Sequence, residues 1–268
     1  MIRVFPRRTA MTPTDSMVFV GVLPREKIDC DEVHVSCVFT WDITEAERLA
    51  AVYRRHYPVV KVGGPAYGDR ASATFTPGMY VQHGVTFWSR GCPNRCPGCL
   101  VRSNLVELPI QPGNIIQDDN VLANRRAHIE AGFQMLKTQH AIQFTGGLEA
   151  ARLKDWHVEL LRSIRLNQLF TAYDRVEQAK AVERALTMLI RAGLPRRKLR
   201  CYVLAGREGD TIEAADARAE QVWAWGGMPF MQLWIGENGK PPTDKAWRRL
   251  QRKWARPAAM FATHKQGV

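Results

Sequence analysis

Between Met79 and Trp234 short, β-rich apolar runs alternate with longer amphipathic ones. The short runs are 85–88, 113–117, 141–145, 168–173, 199–205 and 230–234. Between them, residues 126–138 carry Ile129, Phe133 and Leu136 at helical spacing. Asp155 stands where it can cap a helix on which Trp156, Leu160, Leu161 and Ile164 share a face. Residues 177–192 end in Gly193, with Pro195 beyond, and Asp210 with Glu213 opens a helix that stops near Gly226-Gly227. Strands of this length cannot bury themselves, and one-sided helices need a sheet to cover. The alternation therefore predicts an α/β fold around a parallel sheet. Six such units are too few for a closed eight-stranded barrel.

In parallel α/β folds, ligands gather at the C-terminal ends of the strands. The first strand runs into Gly91-Cys92-Pro93-Asn94-Arg95-Cys96-Pro97-Gly98-Cys99, three cysteines spaced Cys-x3-Cys-x2-Cys. Asp118, Asp119 and Asn120 follow the second strand, and Gly146-Gly147 the third. Asp174 ends the fourth, and Gly206 follows the fifth. Three thiolates so close can wrap one face of a metal centre. A four-iron cluster held by three cysteines keeps one iron without a protein ligand, open to a small molecule. Structural zinc takes four closed ligands, and the fourth would have to come from as far as His83 or His140. The two-cluster ferredoxin spacing requires further cysteines nearby, and none follow. Cys30, Cys37 and Cys201 are scattered and read as structural thiols. Asp118 and Asp119 fit either a solvated turn or groups that bind substrate and move a proton.

Cys92, Cys96 and Cys99 match the cluster motif of the radical S-adenosylmethionine (SAM) superfamily. The approach Phe87-Trp88-Ser89-Arg90-Gly91-Cys92-Pro93 resembles the branch that carries a cobalamin-binding domain ahead of the barrel. The resemblance covers roughly Val33 to Trp234. It implies an open six-stranded partial (β/α)6 barrel and a 4Fe-4S cluster whose free iron chelates SAM. SAM is then cleaved reductively to methionine and a 5′-deoxyadenosyl radical that abstracts hydrogen from a substrate. An electron donor such as flavodoxin or ferredoxin is implied as a partner. Gly146-Gly147 resembles the superfamily's Gly-Gly-Glu segment, which receives the methionine ammonium. Leu148 stands where the acid is expected, and Glu149 follows one place later. Asp174 matches the position that reaches the ribose hydroxyls, with a helix cap as its plainer role. The segment ending at Gly206 is similar to the adenine-contacting strand. Gly98 occupies a place that is commonly aromatic in the superfamily.

Ahead of this region, residues 1–78 hold one βαβ unit. Residues 33–40 read as a strand, Thr44-Glu45-Ala46-Glu47 as a capping box, and residues 59–65 as strand and sharp turn. The unit resembles the closing part of a cobalamin-binding Rossmann-like domain, truncated at its N-terminal side. The cobalt-ligating Asp-x-His-x-x-Gly signature is absent, and Asp31-Glu32-Val33-His34 has the wrong spacing. No cobalamin is expected.

The chain divides into that domain, residues 79–236 as the barrel, and residues 237–268 as a basic helical extension. In the extension Trp247, Leu250 and Trp254 form a stripe among Lys245, Arg248, Arg249, Arg252, Lys253 and Arg256. The net charge of +12 favours an anionic or nucleotide-like substrate and keeps nucleic acid among the candidate partners. No membrane span and no signal peptide are read, which makes the expected location cytoplasmic. The rival from another class is a non-catalytic basic protein that binds zinc through the same cysteines and takes up nucleic acid.

Overall fold

The computed structural model describes residues 1–68, 75–96, 99, 101, 104–236 and 239–264. Its main sheet has six parallel strands: β5 (Val85–Thr86), β8 (Ile115–Ile116), β9 (Ile142–Phe144), β10 (Leu166–Ala172), β11 (Leu199–Ala205) and β12 (Met228–Leu233). They lie side by side in chain order, and the outer strands β5 and β12 are not paired with each other. The sheet is therefore open. Helices α2 (Arg126–Leu136), α3 (Asp155–Arg162), α4 (Ala179–Arg191) and α5 (Ile212–Ala224) join successive strands from β8 onward. Right-handed crossovers place such helices on one face. Packing agrees, because Phe144, Leu169, Val203 and Met231 share one core with Phe133, Leu161, Leu186 and Val222.

Helix α4 shows how sequence sets this packing. Val182, Ala185, Leu186 and Leu189 recur every three or four residues, and all four are buried. Strand β11 shows the matching two-residue period. Cys201, Val203 and Ala205 are buried against the helices, so Arg200, Tyr202 and Leu204 project to the other face.

The connection from β5 to β8 has no helix among the described residues. It carries the cysteine loop and a hairpin of β6 (Ser89–Arg90) against β7 (Val106–Glu107), which periodicity did not suggest. Pro97 and Gly98 lie outside the described residues.

The N-terminal region is a second parallel sheet, larger than one βαβ unit. Its order is β2 (Val18–Val20), β1 (Ile2–Phe5), β3 (Val33–Ser36) and β4 (Val60–Gly63). Helix α1 (Ile43–Arg54) covers it with Ala46, Leu49, Ala50 and Tyr53, and the two form a separate core. The expected capping box at Thr44 does not form, because the helix starts two residues earlier than that box requires. Its N-cap is Asp42, whose carboxylate is held by the Arg7 guanidinium. Gly64 lets β4 end against β3; a Cβ there would stand 2.6 Å from the Cys37 carbonyl oxygen.

After β12, helix α6 (Lys245–Ala255) and helix α7 (Pro257–His264) pack onto the main core through Leu250, Trp254 and Met260. Lys253 Nζ donates to Asp216 (2.9 Å) and Glu220 (3.0 Å) of α5, and Trp254 Nε1 donates to Asp216. Arg248, Arg249, Arg252 and Arg256 are exposed. Among the described residues no helix is long and apolar enough to cross a membrane.

Candidate functional site

A cavity of about 730 Å³ opens at the C-terminal ends of the main-sheet strands. That volume falls within the range of small-molecule and cofactor pockets, about 300–1,000 Å³. Cys92, Cys96 and Cys99 line one part of it, with Asp119 and Asn120 from the end of β8. Gly146, Gly147 and Glu149 follow from the end of β9, and Asp174 from the end of β10. Residues as far apart in sequence as Cys92 and Asp174 thus meet because parallel strands deliver their C-terminal ends to one edge.

The cysteine loop is held by the residues after β8. Asp118 is 2% exposed; its Oδ1 accepts from Trp88 N (2.8 Å) and its Oδ2 from Ser89 Oγ (2.6 Å). Burial pushes its carboxyl up to about 6, and the two hydrogen bonds only partly oppose this. Asp119 Oδ2 accepts from Gly91 N (2.7 Å), at the residue before the first cysteine. Asn120 Nδ2 donates to Cys92 Sγ (3.3 Å) and to Glu149 Oε2 (2.7 Å). The solvated-turn reading of these residues fails for Asp118, which lies beneath the loop rather than in water. Its partners, thirty residues away, leave no local signature in the sequence.

The glycines serve two separate needs. A Cβ on Gly146 would stand 2.2 Å from the Asp118 carbonyl oxygen, so only glycine lets the end of β9 approach the end of β8 this closely. Gly147 has φ of +90°, a conformation that L side chains rarely adopt. The chain then turns so that Leu148 packs into the core, 5% exposed, while Glu149 reaches Asn120 in the cavity wall. Of the two side chains, Leu148 therefore serves the core and Glu149 the cavity wall. Arg152 Nε also donates to Glu149 Oε2, at 2.6 Å.

Asp174 is not a helix cap. Its Oδ1 accepts from Leu204 N of β11 (2.9 Å), and burial raises its carboxyl pKa, with Arg218, Arg207 and Arg175 pulling the other way. Gly206 does not line the cavity. Its N–H donates to Asp210 Oδ2 (3.0 Å), and its α-carbon faces Pro242 and Trp247. The residue after it, Arg207, lines the wall with Trp234, over whose ring its guanidinium lies at 5.1 Å. Asp210 is thereby drawn away from the helix start, and Thr211 caps α5 by accepting from Ala214 N (3.1 Å). Lys154 rather than Asp155 is the N-cap of α3.

His83 and His140 precede β5 and β9, at the edge of the sheet opposite the cysteines. Cys37 and Cys201 are fully buried, and Cys30 is half-buried. Among the described residues no three His, Cys, Asp or Glu converge on a single ion position. The cysteines of a cubane cluster each bind a different iron, so such a donor set has to line a wall rather than close on a point. The wall here supplies three thiols, and Cys92 Sγ accepts from Asn94 N (3.4 Å) and Asn120 Nδ2 (3.3 Å). Hydrogen bonds of this kind stabilise a thiolate ligand and tune the centre it holds. The residues present fit the group. Compared with models of protein families, with curated proteins and with solved structures, the chain has no match.

Proposed function

We propose that this chain is a radical SAM enzyme, built on a six-stranded open partial (β/α)6 barrel. One observation carries the reading. Cys92, Cys96 and Cys99 line the same cavity as Gly146, Gly147, Glu149 and Asp174, the residues that the family pattern assigns to SAM. The open sheet with strands in chain order supports the barrel.

The three cysteines would hold a 4Fe-4S cluster. When bound, cluster and SAM supply an electron, methionine and a 5′-deoxyadenosyl radical that takes hydrogen from a substrate. The chain's part is to position and to exclude water. Gly146 lets the ends of β8 and β9 close on each other, and Gly147 puts no side chain where a backbone-bound amino acid would lie. Glu149, between Asn120 and Arg152, offers a carboxylate to an ammonium group. Asp174 has Oδ2 free of the Leu204 contact and can accept from a ribose hydroxyl. The substrate is proposed to be anionic, given the net charge of +12.

The test is anaerobic reconstitution followed by dithionite reduction with SAM. About four iron and four sulfide per chain are expected, with slow formation of 5′-deoxyadenosine. Tight zinc with no iron uptake would replace this reading by the zinc-binding one. An intact cluster that leaves SAM uncleaved would make the chain an electron carrier. Cobalamin is proposed to play no part, and retention of one hydroxocobalamin per chain in equilibrium dialysis would reverse that.

A further inference from the structure

Arg200 is the second residue of β11 and projects to the sheet face that the helices leave uncovered. Its Nε and Nη1 are buried without a hydrogen-bond partner. A guanidinium stays charged in a protein, and a buried charge without a counter-ion is costly. Burial pulls its pKa below the ordinary arginine value, with no neighbouring carboxylate to oppose the effect. The residue as a whole is half-buried, so its guanidinium is partly desolvated and has no anionic partner among the described residues.

An aromatic platform adjoins it. Phe170 of β10 pairs in register with Arg200. The Phe170 and Tyr202 rings stack with centroids 4.4 Å apart, and Phe230 meets them edge-on at 6.0 and 5.8 Å. Tyr202 and Leu204 line the cavity floor. Two residues along a strand span about 6.5–7 Å, so Arg200 lies one side-chain row beneath that floor.

We propose that Arg200 with Phe170, Tyr202 and Phe230 anchors a flat, ring-bearing monocarboxylate that extends upward into the cavity. The planar fork of a guanidinium matches a carboxylate through two parallel hydrogen bonds. A single unpaired cation balances a single negative charge. Carboxylate is chosen over phosphate on this fit to the two unpartnered donors Nε and Nη1, since the cavity wall above is of mixed charge, with Asp119, Glu149 and Asp174 beside Arg175 and Arg207. That the bound carboxylate is the enzyme's substrate rests on the radical SAM reading; the binding itself does not.

The probe is 2-naphthoate, with uncharged 2-naphthamide as its isostere, read by thermal unfolding and calorimetric titration. The protein is used as purified, and neither iron nor SAM enters the measurement, so failure here and failure of SAM cleavage are separate results. Wild type should gain Tm with 2-naphthoate and not with 2-naphthamide. Arg200→Met keeps the apolar stem and removes the unpaired charge. Its ligand-free Tm should equal or exceed that of wild type, and its affinity for 2-naphthoate should fall roughly tenfold to a hundredfold. Three results would each overturn the proposal. They are a lower Tm for Arg200→Met, which marks a structural guanidinium; equal binding by both proteins; and no binding of millimolar 2-naphthoate by wild type.

Discussion

Asp118 couples the stability of the fold to pH in a direction opposite to most carboxylates. It accepts hydrogen bonds from Trp88 N and Ser89 Oγ, yet burial dominates and its carboxyl titrates at about 6 rather than 3.8. An acid whose folded pKa is raised is least favourable to folding when ionised. Its penalty is complete above pH 6, shrinks as pH falls through 6, and has gone below 3.8. The distance between the two values corresponds to roughly 3 kcal/mol. At pH 5 roughly 1 kcal/mol of that is relieved. Asp118→Asn carries no charge at either pH. It also replaces one of the two acceptor oxygens by an NH2 group, so either the Trp88 N–H or the Ser89 hydroxyl has to rearrange. That cost, about 1–3 kcal/mol, is independent of pH and cancels in the comparison. Urea unfolding of both proteins at pH 7.5 and pH 5.0 gives the two stability differences. The difference should move by roughly 1 kcal/mol in favour of wild type on acidification. A difference that stays constant, or moves toward the variant, would refute the assignment of a buried ionised carboxylate.

Gly146→Ala should lower stability by about 1–3 kcal/mol and reduce iron uptake, because the new Cβ displaces the strand end that carries Asp118 to Asn120; unchanged iron content would count against the close approach. Alanine at Cys92, Cys96 or Cys99 should abolish iron binding, whereas Cys30→Ala should leave it intact, as read by iron and sulfide assay. Asn120→Asp places a carboxylate between Cys92 Sγ and Glu149, so reconstituted iron content should fall while the thermal transition moves little. Asp216→Ala removes the acceptor shared by Lys253 and Trp254 and should cost about 1–3 kcal/mol in urea unfolding; no loss would mean that Leu250 and Trp254 packing, with the Lys253–Glu220 contact, suffices to hold α6.

How much of this was legible in the sequence depends on how local the cause is. Strand β11 is read to the residue, because a seven-residue run with a two-fold period is set by its own side chains. Strand β5 is shorter than its apolar run, since Trp88 leaves the ladder to bond with Asp118. The β6–β7 hairpin and β2 were not visible, because each pairs with a partner that periodicity does not reveal. That Cys92, Cys96, Cys99, Gly146 and Gly147 come to one edge of the sheet was legible from their places after successive strands. Gly206 was not a cavity residue, because a carboxylate four positions on captures its N–H. Arg200 looked like an ordinary strand residue until its Nε and Nη1 were seen buried without a partner among the described residues.

Asp118, Asp119 and Asn120 are consecutive, yet they attach to Ser89, to Gly91, and to Cys92 with Glu149. Such a segment has no slack in length. One residue inserted after Ile116 would turn every following side chain to the opposite side of the chain and detach all three anchors together. Substitutions are a milder disturbance, since each breaks one attachment and leaves the other two. In diverging descendants of this chain, then, the gap-free count from Ile116 to Asn120 should outlast the identity of the residues within it. A reader aligning distant sequences would do better to anchor on that interval than on the surrounding letters.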